Sequence, residues 1–528
     1  MNKFKQTREC ANCVPVEAQL MHKMKRVIIL LFAVVCVFLL MGCGADDYDP
    51  PVETLAYDQD EQQEAGITID NNYDDAETNY YVFVSTIPLD LAEELFTRMH
   101  VAWDEDDGDL WGFHLFAPSM IADPISRHVV ANMPDPEGHF TRHGDLYVGI
   151  LPDDVFVSHT AVEFAGLTWG MLMWSPMESG IYESGDFESF GLDGRDEFVT
   201  MLLRVFIHEG FHAVQLQVLP GHDTISPLAD QMSPHAERCA DARISILLEM
   251  NALRQALSTE GDERHRAIHD AISIRAHRRH GQPEIYLSEN MQELNEGIAV
   301  FTDIYLVHGN ADVLLAEYDD NMMRVLVESS GLGSGFPYFT GAAYAFLLRD
   351  TGVSWQYNLT WDTDLAALLQ EAVGITELIP FDEIDLERYG YSQLAPDARV
   401  FVERFQRIYQ GAREFVELPN NILIEGIWTF GGIFENELVD VEIDHNRGYL
   451  VFYDRIDFVA SNWRIEMLSG YSHMVTHPAQ GIAIPFYENI AISEDGTRAT
   501  SPTWELEILD PAYQILMDEQ GSISVVLR

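Results

Sequence analysis

Hydrophobic and polar residues follow different patterns in the two main parts of the chain. Between about residues 80 and 416, apolar residues recur mostly at the three- and four-residue spacing of amphipathic helices, and after residue 417 they alternate at strand length. Two strand-like runs, Leu146–Leu151 and Val162–Trp174, precede the longest helical pattern. The pattern predicts an α+β fold: a mainly helical domain at 77–416 with a small N-terminal sheet, then an all-β, β-sandwich-like domain at 417–528.

Nine helices are predicted in the first domain from apolar residues at helical spacing, and several of them begin or end at residues that cap or break helices. Two of them form a helical insert at 233–281. The predicted helices are Leu89–Met99, a helix that starts within Asp193–Asp196 and stops at Pro220-Gly221, Ser233–Leu257, Asp262–His280, Ser288–His308, Ala311–Val327, Tyr338–Arg349, Leu365–Ala372 and Pro396–Glu414.

The N-terminus has the pattern of an export signal. The basic residues Lys23–Arg26 precede a 15-residue apolar run, Val27–Met41, which is shorter than the roughly 20 residues of a membrane-spanning helix and is typical of a signal peptide. The run ends in Leu-Met-Gly-Cys43, which resembles a bacterial lipobox, so we expect lipidation of Cys43. A non-lipidated signal peptide or an uncleaved anchor is the alternative.

We therefore interpret residues 1–42 as a signal-peptide region, in which Met21 or Met24 is the true start. Residues 43–76 are acidic and polar and predict a flexible tether. This organisation predicts a membrane lipoprotein on the extracytoplasmic face of the cell membrane.

Charge and cysteine content narrow the classes of function. From Cys43 onward the chain has 25 arginines, no lysine and 84 acidic residues. Such a chain repels nucleic acid, so we expect no nucleic-acid partner. Only Cys43 and Cys239 remain after the signal region, which predicts no internal disulfide framework.

The longest helical pattern contains His208-Glu209-Gly210-Phe211-His212. Residues four apart lie on one face of a helix, so both imidazoles can bind the same ion. A carboxylate beside the first histidine can act as base toward a water that the ion activates. The spacing predicts a Zn²⁺ site with His208 and His212 as ligands and Glu209 as general base.

A catalytic zinc needs a third protein ligand. In the segment LNEGIAVFTD, Glu296 and Asp303 are seven residues apart and share a face of the predicted helix. A buried carboxylate is costly unless it is paired or bound to metal, so Glu296 is our candidate. Glu249 and Glu293 also lie on apolar helices, either as alternative ligands or as paired structural acids.

HEGFH followed by LNEGIAVFTD resembles the gluzincin clan of zinc metallopeptidases, and the second block is similar to the NEG-x-A segment of aminopeptidase N-like enzymes. The resemblance implies a zincin-like catalytic domain in which His208, His212 and Glu296 bind zinc and Asp303 orients a ligand histidine. In this clan a tyrosine or histidine often stabilises the oxyanion. Tyr338 and Tyr344 are candidates for that role.

These features together predict a lipid-anchored zinc metallohydrolase, most simply a peptidase that acts on peptide or protein substrates outside the cytoplasm. The alternative is a non-catalytic surface lipoprotein that binds a ligand or protein partner on a gluzincin-like scaffold.

Overall fold

The computed structural model describes residues 86–416 apart from 153–154, 189–190, 220–235, 237–238, 281–282 and 320–331; beyond residue 420 it describes mainly strands, up to residue 527. The predicted signal region, the tether and Cys43 lie outside the described residues.

The described part begins with helix α1 (Leu89–Asp106), and a six-stranded sheet follows. Its strands are β1 (Ser119–Ala122), β2 (His128–Ala131), β3 (Thr141–His143), β4 (Leu146–Ile150), β5 (Thr160–Phe164) and β6 (Leu167–Met173). The order across the sheet is β3-β4-β2-β1-β6-β5, and neighbouring strands are antiparallel except for β1 and β6.

Ten more helices lie in the described residues. They are α2 (Pro176–Ser184), α3 (Arg195–Val218), α4 (Ala240–Ser258), α5 (Gly261–Arg279), α6 (Pro283–Gln292), α7 (Ile298–His308), α8 (Asp312–Asp319), α9 (Leu332–Asp350), α10 (Leu365–Ala372) and α11 (Tyr391–Val416). A π turn, Glu293–Gly297, joins α6 to α7, and 3-10 turns occupy Gln356–Asn358, Phe381–Glu383 and Leu386–Tyr389.

Helix α3, which carries the histidine pair, lies directly on the sheet. A Cβ atom on Gly170 of β6 would lie 2.6 Å from the Cα atom of Gly210, so no side chain separates the two backbones. Leu172 and Trp174 lie on the same side of the chain as Gly170 and belong to the hydrophobic core around α3. The edge strand β5 pairs with β6 and therefore runs beside the histidine helix.

The segment that carries Glu296, the candidate third ligand, packs against α3. Helix α7 contacts α3, and α9 contacts both α7 and the π turn. The π turn and α9 meet at two glycines: a Cβ atom on Gly297 would lie 2.6 Å from the Cα atom of Gly341. This close approach fixes the π turn between α9 and the histidine helix.

Most predicted helices are present with shifted ends. Helix α10 has the predicted bounds, α1 continues to Asp106, and α9 begins at Leu332 and includes Pro337. The predicted insert helices correspond to α4 and α5, although the start expected at Ser233 lies outside the described residues. Helix α3 begins after Gly194, which has φ 96° and offers no capping side chain, rather than at a capping aspartate.

One predicted helix requires correction. The segment expected to form a single helix over Ser288–His308 is α-helical up to Gln292, changes to a π turn, and resumes as α7. Strands β1 to β3 and helix α2 are additional elements that the sequence pattern does not predict. Helix α2 begins at a capping box, in which the side chains of Ser175 and Glu178 each accept a hydrogen bond from the backbone N–H of the other residue.

Among the described residues, no single helix is long and apolar enough to cross a membrane. One bent pair, Tyr286–His308 with Asp312–Tyr318, meets the criteria of length and composition jointly across a 120° bend.

Beyond residue 420 the described segments are strands. They are β7 (Asn421–Ile424), β8 (Leu438–Asp444), β9 (Arg447–Phe452), β10 (Phe458–Val459), β11 (Trp463–Met467), β12 (Met474–His477), β13 (Gly481–Pro485), β14 (Ala491–Ile492), β15 (Arg498–Thr500), β16 (Trp504–Ile508), β17 (Tyr513–Met517) and β18 (Ile523–Leu527). These strands form two five-stranded antiparallel sheets, with orders β7-β13-β12-β9-β8 and β10-β11-β16-β15-β14, and a β17–β18 hairpin. The described residues thus have the α+β character that the sequence predicts.

Candidate metal centre

Two imidazoles from α3 and one carboxylate from the π turn converge in the helical region. Nε2 of His208 lies 3.0 Å from Nε2 of His212, and Oε2 of Glu296 lies 3.2 Å from the first nitrogen and 3.3 Å from the second. All three residues are buried. The structure therefore brings together the three side chains that the sequence proposes as ligands.

Each histidine has a polar partner at its other ring nitrogen. Oδ2 of Asp303 lies 3.4 Å from Nδ1 of His208, and Nε of Arg204 donates to the second oxygen of Asp303 at 2.8 Å. Oε1 of Gln215 lies 2.8 Å from Nδ1 of His212. Acceptors at both Nδ1 atoms favour the tautomers with a proton on Nδ1, which leaves the Nε2 lone pairs free for a ligand.

The carboxylate of Glu296 is held in the same way. Nδ2 of Asn295 donates to Oε1 of Glu296 at 2.9 Å, so that Oε2 is the oxygen turned to the histidines. Nε2 of Gln215 donates to the carbonyl oxygens of Leu294 and Asn295, at 2.8 and 2.7 Å. Gln215 therefore links the second histidine to the segment that carries the acid.

The three converging atoms have the spacing that a tetrahedral ion requires. Bonds of about 2.0–2.1 Å to a tetrahedral zinc place neighbouring ligand atoms about 3.3 Å apart, and the separations here are 3.0, 3.2 and 3.3 Å. In the favoured tautomers three lone pairs face one another at this distance, which a cation would stabilise. The buried group of His208, His212 and Glu296 can therefore hold a metal ion.

The surrounding charges also favour a cation. Burial by itself lowers the pKa of His208, but the carboxylates of Asp303 and Glu296 outweigh it and raise the pKa to about 10. Burial also lowers the pKa of His212, but the charge and hydrogen bond of Glu296 outweigh this effect, so the pKa of His212 is raised. In turn the two histidines hold the pKa of Glu296 well below its usual range in spite of burial. The site thus stabilises positive charge, whether protons or a metal ion carry it.

Glu209 lies beside this group and is chemically unsatisfied. It is 1% exposed, and neither carboxylate oxygen has a hydrogen-bond partner among the described residues. Burial raises the pKa of Glu209 to about 7, although His208 and His212 act in the opposite direction. A buried carboxylate without a partner is costly, and a water or substrate at the site would remove that cost. A pKa near neutrality suits a group that accepts and returns a proton.

The two candidate tyrosines have different positions. The ring of Tyr338 is stacked parallel to that of His208, with an interplanar angle of 6° and 6.4 Å between centroids. Tyr344 is fully buried and its hydroxyl donates to Oε1 of Glu249 at 2.9 Å. Because its hydroxyl is bonded to Glu249, Tyr344 is not placed to act as the predicted oxyanion donor. Residues six apart in α9 lie on different faces of the helix, so of the two tyrosines it is Tyr338 that lies beside the histidines.

The alternative acids are occupied by arginines. Glu249 accepts from Arg275 at 3.0 Å and from Arg278 at 2.8 Å, and Glu293 accepts from Arg275 at 2.7 Å. Burial opposes ionisation of Glu249, but these guanidinium groups hold its pKa below the usual value. Glu249 and Glu293 are therefore paired structural acids, the second of the two roles that the sequence leaves open for them.

His159 is a further buried imidazole, which sequence reasoning misses. In the β5–β6 pair Ala161 is opposite Gly170, so His159 lies on the face of the hairpin that packs on α3. Its Nδ1 accepts from the backbone N–H of Met173 at 3.4 Å, which leaves the proton of the neutral ring on Nε2. Burial, and then the charge of His208, lower the pKa of His159 to about 4. A lone histidine before a strand has no spacing signature that could have identified it.

Comparison of the chain with protein-family models, with curated proteins and with solved structures found no match.

Proposed function

We propose that the protein is a zinc-dependent hydrolase that cleaves peptide bonds outside the cytoplasm. The observation that carries the proposal is the meeting of Nε2 of His208, Nε2 of His212 and Oε2 of Glu296 beside the unpartnered carboxylate of Glu209. Two imidazoles and one carboxylate are a donor set of catalytic zinc sites, which keep a fourth position for water. The gluzincin resemblance of the two motif blocks supports the same assignment.

Zinc held by His208, His212 and Glu296 would supply an activated water and a polarised carbonyl group. Glu209 accepts a proton from the water as the water oxygen bonds to the scissile carbonyl carbon. It then passes this proton to the amide nitrogen as the carbon–nitrogen bond breaks, which yields a carboxylic acid and an amine. Tyr338, beside His208, is the candidate donor of a hydrogen bond to the carbonyl oxygen.

The proposal includes the cellular setting expected from the sequence. Lipidated Cys43 attaches the protein to the extracytoplasmic face of the membrane, and the acidic segment 43–76 holds the catalytic part away from the lipid. The partner is a peptide or protein substrate. Replacing Cys43 by Ala is expected to abolish incorporation of labelled fatty acid into the protein, and unchanged labelling would contradict the lipid anchor.

Two substitutions test the catalytic proposal. The protein is expected to bind about one zinc per chain and to cleave members of a peptide library. Glu209→Gln keeps the three ligands, so we expect full zinc content without turnover. Glu296→Gln removes the anionic ligand, so we expect loss of zinc and of turnover together.

The contrary outcomes are equally specific. Wild-type cleavage by the Glu209→Gln protein would show that this carboxylate is not the base. A wild-type protein that takes up no zinc from zinc-containing buffer would instead favour the non-catalytic surface lipoprotein.

A further inference from the structure

A cluster of buried charges lies next to the π turn that carries Glu296. Helix α5 contributes Arg275, Arg278 and Arg279, and the acids are Glu249, Glu289 and Glu293; we call these six residues the arginine–glutamate cluster. All six are buried. Their ion pairs are Arg275 with Glu249 and Glu293, Arg278 with Glu249 and Glu289, and Arg279 with Glu289.

The π turn points two acids that are close in the sequence toward different partners. In an α-helix, residues three apart are separated by about 60° around the axis, so Glu293 and Glu296 would lie on nearly the same face. The wider π turn increases that separation to roughly 115°. Glu293 consequently faces Arg275, while Glu296 faces the histidine pair.

Glu293 is held from two further helices. Nη1 of Arg275, on α5, donates to Oε1 of Glu293 at 2.7 Å, and a second guanidinium nitrogen bonds the other oxygen. The hydroxyl of Thr340, on α9, donates to the same Oε1 at 2.6 Å. Glu293 is 0% exposed, so these bonds are not in competition with water.

The backbone leaves little freedom on the other side of the turn. A Cβ atom on Gly341 would lie 2.8 Å from the carbonyl oxygen of Glu293, which shows how closely α9 approaches this point. The π turn is thus held at its start by the contacts of Glu293 and at its end by the approach of Gly297 to α9, and Glu296 lies between these two points. Its Oε2 faces the histidines.

We propose that Arg275 and Thr340 are positioning residues for the metal ligand Glu296, on which they act by holding Glu293 and so maintaining the π turn. This inference rests on the proposed function, because it assigns the purpose of the turn to metal binding. It predicts that loss of the Glu293 contacts weakens metal affinity without any change in the ligands themselves.

The chain offers a matched control at Glu289, one helical turn before Glu293. Glu289 is also buried and also pairs with guanidinium groups of α5, yet it lies in α6 and outside the π turn. Glu289→Gln and Glu293→Gln therefore remove the same charge from the same cluster. Only the second substitution changes a residue of the π turn, so only it is expected to disturb the turn.

The experiment measures zinc affinity of the full chain by chelator competition, alongside urea unfolding of the metal-free proteins. We expect Glu293→Gln to weaken zinc binding by about 10-fold or more, the usual effect of losing a group that supports a ligand. Glu289→Gln is expected to change affinity less than threefold at a similar loss of stability. Thr340→Val, a milder change, is expected to weaken binding in the same direction, and it decides the matter if Glu293→Gln does not fold.

Equal weakening by Glu289→Gln and Glu293→Gln would overturn the inference, since the cluster would then act only as a scaffold. Unchanged affinity in Glu293→Gln and Thr340→Val would also overturn it. Amide hydrogen exchange over 295–299 gives a reading that needs no metal: faster exchange in Glu293→Gln than in Glu289→Gln supports the role, and equal rates contradict it. A wild-type protein that binds no zinc would refute the proposed function, while this exchange comparison still decides on the turn.

Discussion

Gln215 is the most informative single residue to perturb, because it joins the two elements that carry the candidate metal ligands. It is 1% exposed, accepts from Nδ1 of His212 at 2.8 Å, and donates to the carbonyl oxygens of Leu294 and Asn295. Gln215→Leu keeps the approximate volume and removes all three hydrogen bonds. The ring of His212 can then rotate, and the π turn loses its hydrogen bonds to α3 at Leu294 and Asn295.

The magnitude follows from the groups left unsatisfied. Each buried polar group that loses its partner costs about 1–3 kcal/mol, so three groups cost on the order of 3–9 kcal/mol in unfolding free energy. Loss of the group that orients a ligand imidazole typically lowers metal affinity about 10- to 100-fold. We therefore expect Gln215→Leu to reduce both stability and zinc affinity.

Urea unfolding and chelator competition measure the two effects separately. Gln217→Leu is the control, because Gln217 is exposed on the same helix and the same substitution there should change neither quantity much. Gln215→Glu keeps an acceptor for His212 but sets a carboxylate against two carbonyl oxygens, so affinity should fall less than in Gln215→Leu while stability falls at least as far. Wild-type zinc affinity in Gln215→Leu would refute the reasoning.

Three further predictions concern packing, pH and metal removal. Gly170→Ala is expected to destabilise the fold by about 1–3 kcal/mol or more, because the added Cβ would lie 2.6 Å from backbone atoms of Gly210. Gly210→Ala should be tolerated, because the nearest atom to its Cβ would be 3.4 Å away. Similar urea midpoints for the two variants would contradict this prediction. Burial, and then the charge of His208, lower the pKa of His159 to about 4, whereas the pKa in the unfolded state is about 6.5. Because the unfolded state binds the proton more readily, neutral His159 contributes about 3 kcal/mol to the unfolding free energy above pH 6.5, and this contribution is lost as the pH falls through 4. His159→Gln should remove that part of the acid sensitivity, and identical pH dependence of the unfolding free energy in both proteins would count against it. Removing zinc with a chelator should lower the unfolding free energy by about 4 kcal/mol if the free zinc concentration was 1,000 times the Kd before chelation. The unfolding free energy of Glu296→Gln should not change on chelation. Equal chelator effects on the two proteins would show that Glu296 is not a ligand.

The sequence is informative wherever chemistry repeats at a fixed interval. His208 and His212 are recognisable because four residues make about one helical turn, and the helix boundaries follow from periodic apolar positions ended by Gly and Pro. Strands β1 and β2 escape this reasoning, since each has only four residues, largely buried, and shows no alternation to separate it from a short buried helix.

The choice among the acids depends on partners that are distant in the chain. The apolar pattern alone does not separate Glu293 from Glu296, although the resemblance favours Glu296. The position of Arg275 on a separate helix shows which carboxylate is neutralised. The π turn has no apolar period of its own, so the pattern suggests one continuous helix through it. Gln215 and Asn295 are equally invisible, because an amide side chain becomes significant only when its neighbours are known.

The separation of the ligands along the chain has a consequence for biogenesis. His212 and Glu296 belong to different elements, and the paired helices α4 and α5 are synthesised between them. A copy that has not completed this part of its structure offers an ion only two imidazoles, too few for a firm catalytic site. Under the proposed function, a competent centre therefore forms only once the tertiary structure is complete, and an incompletely folded chain is expected to be inactive.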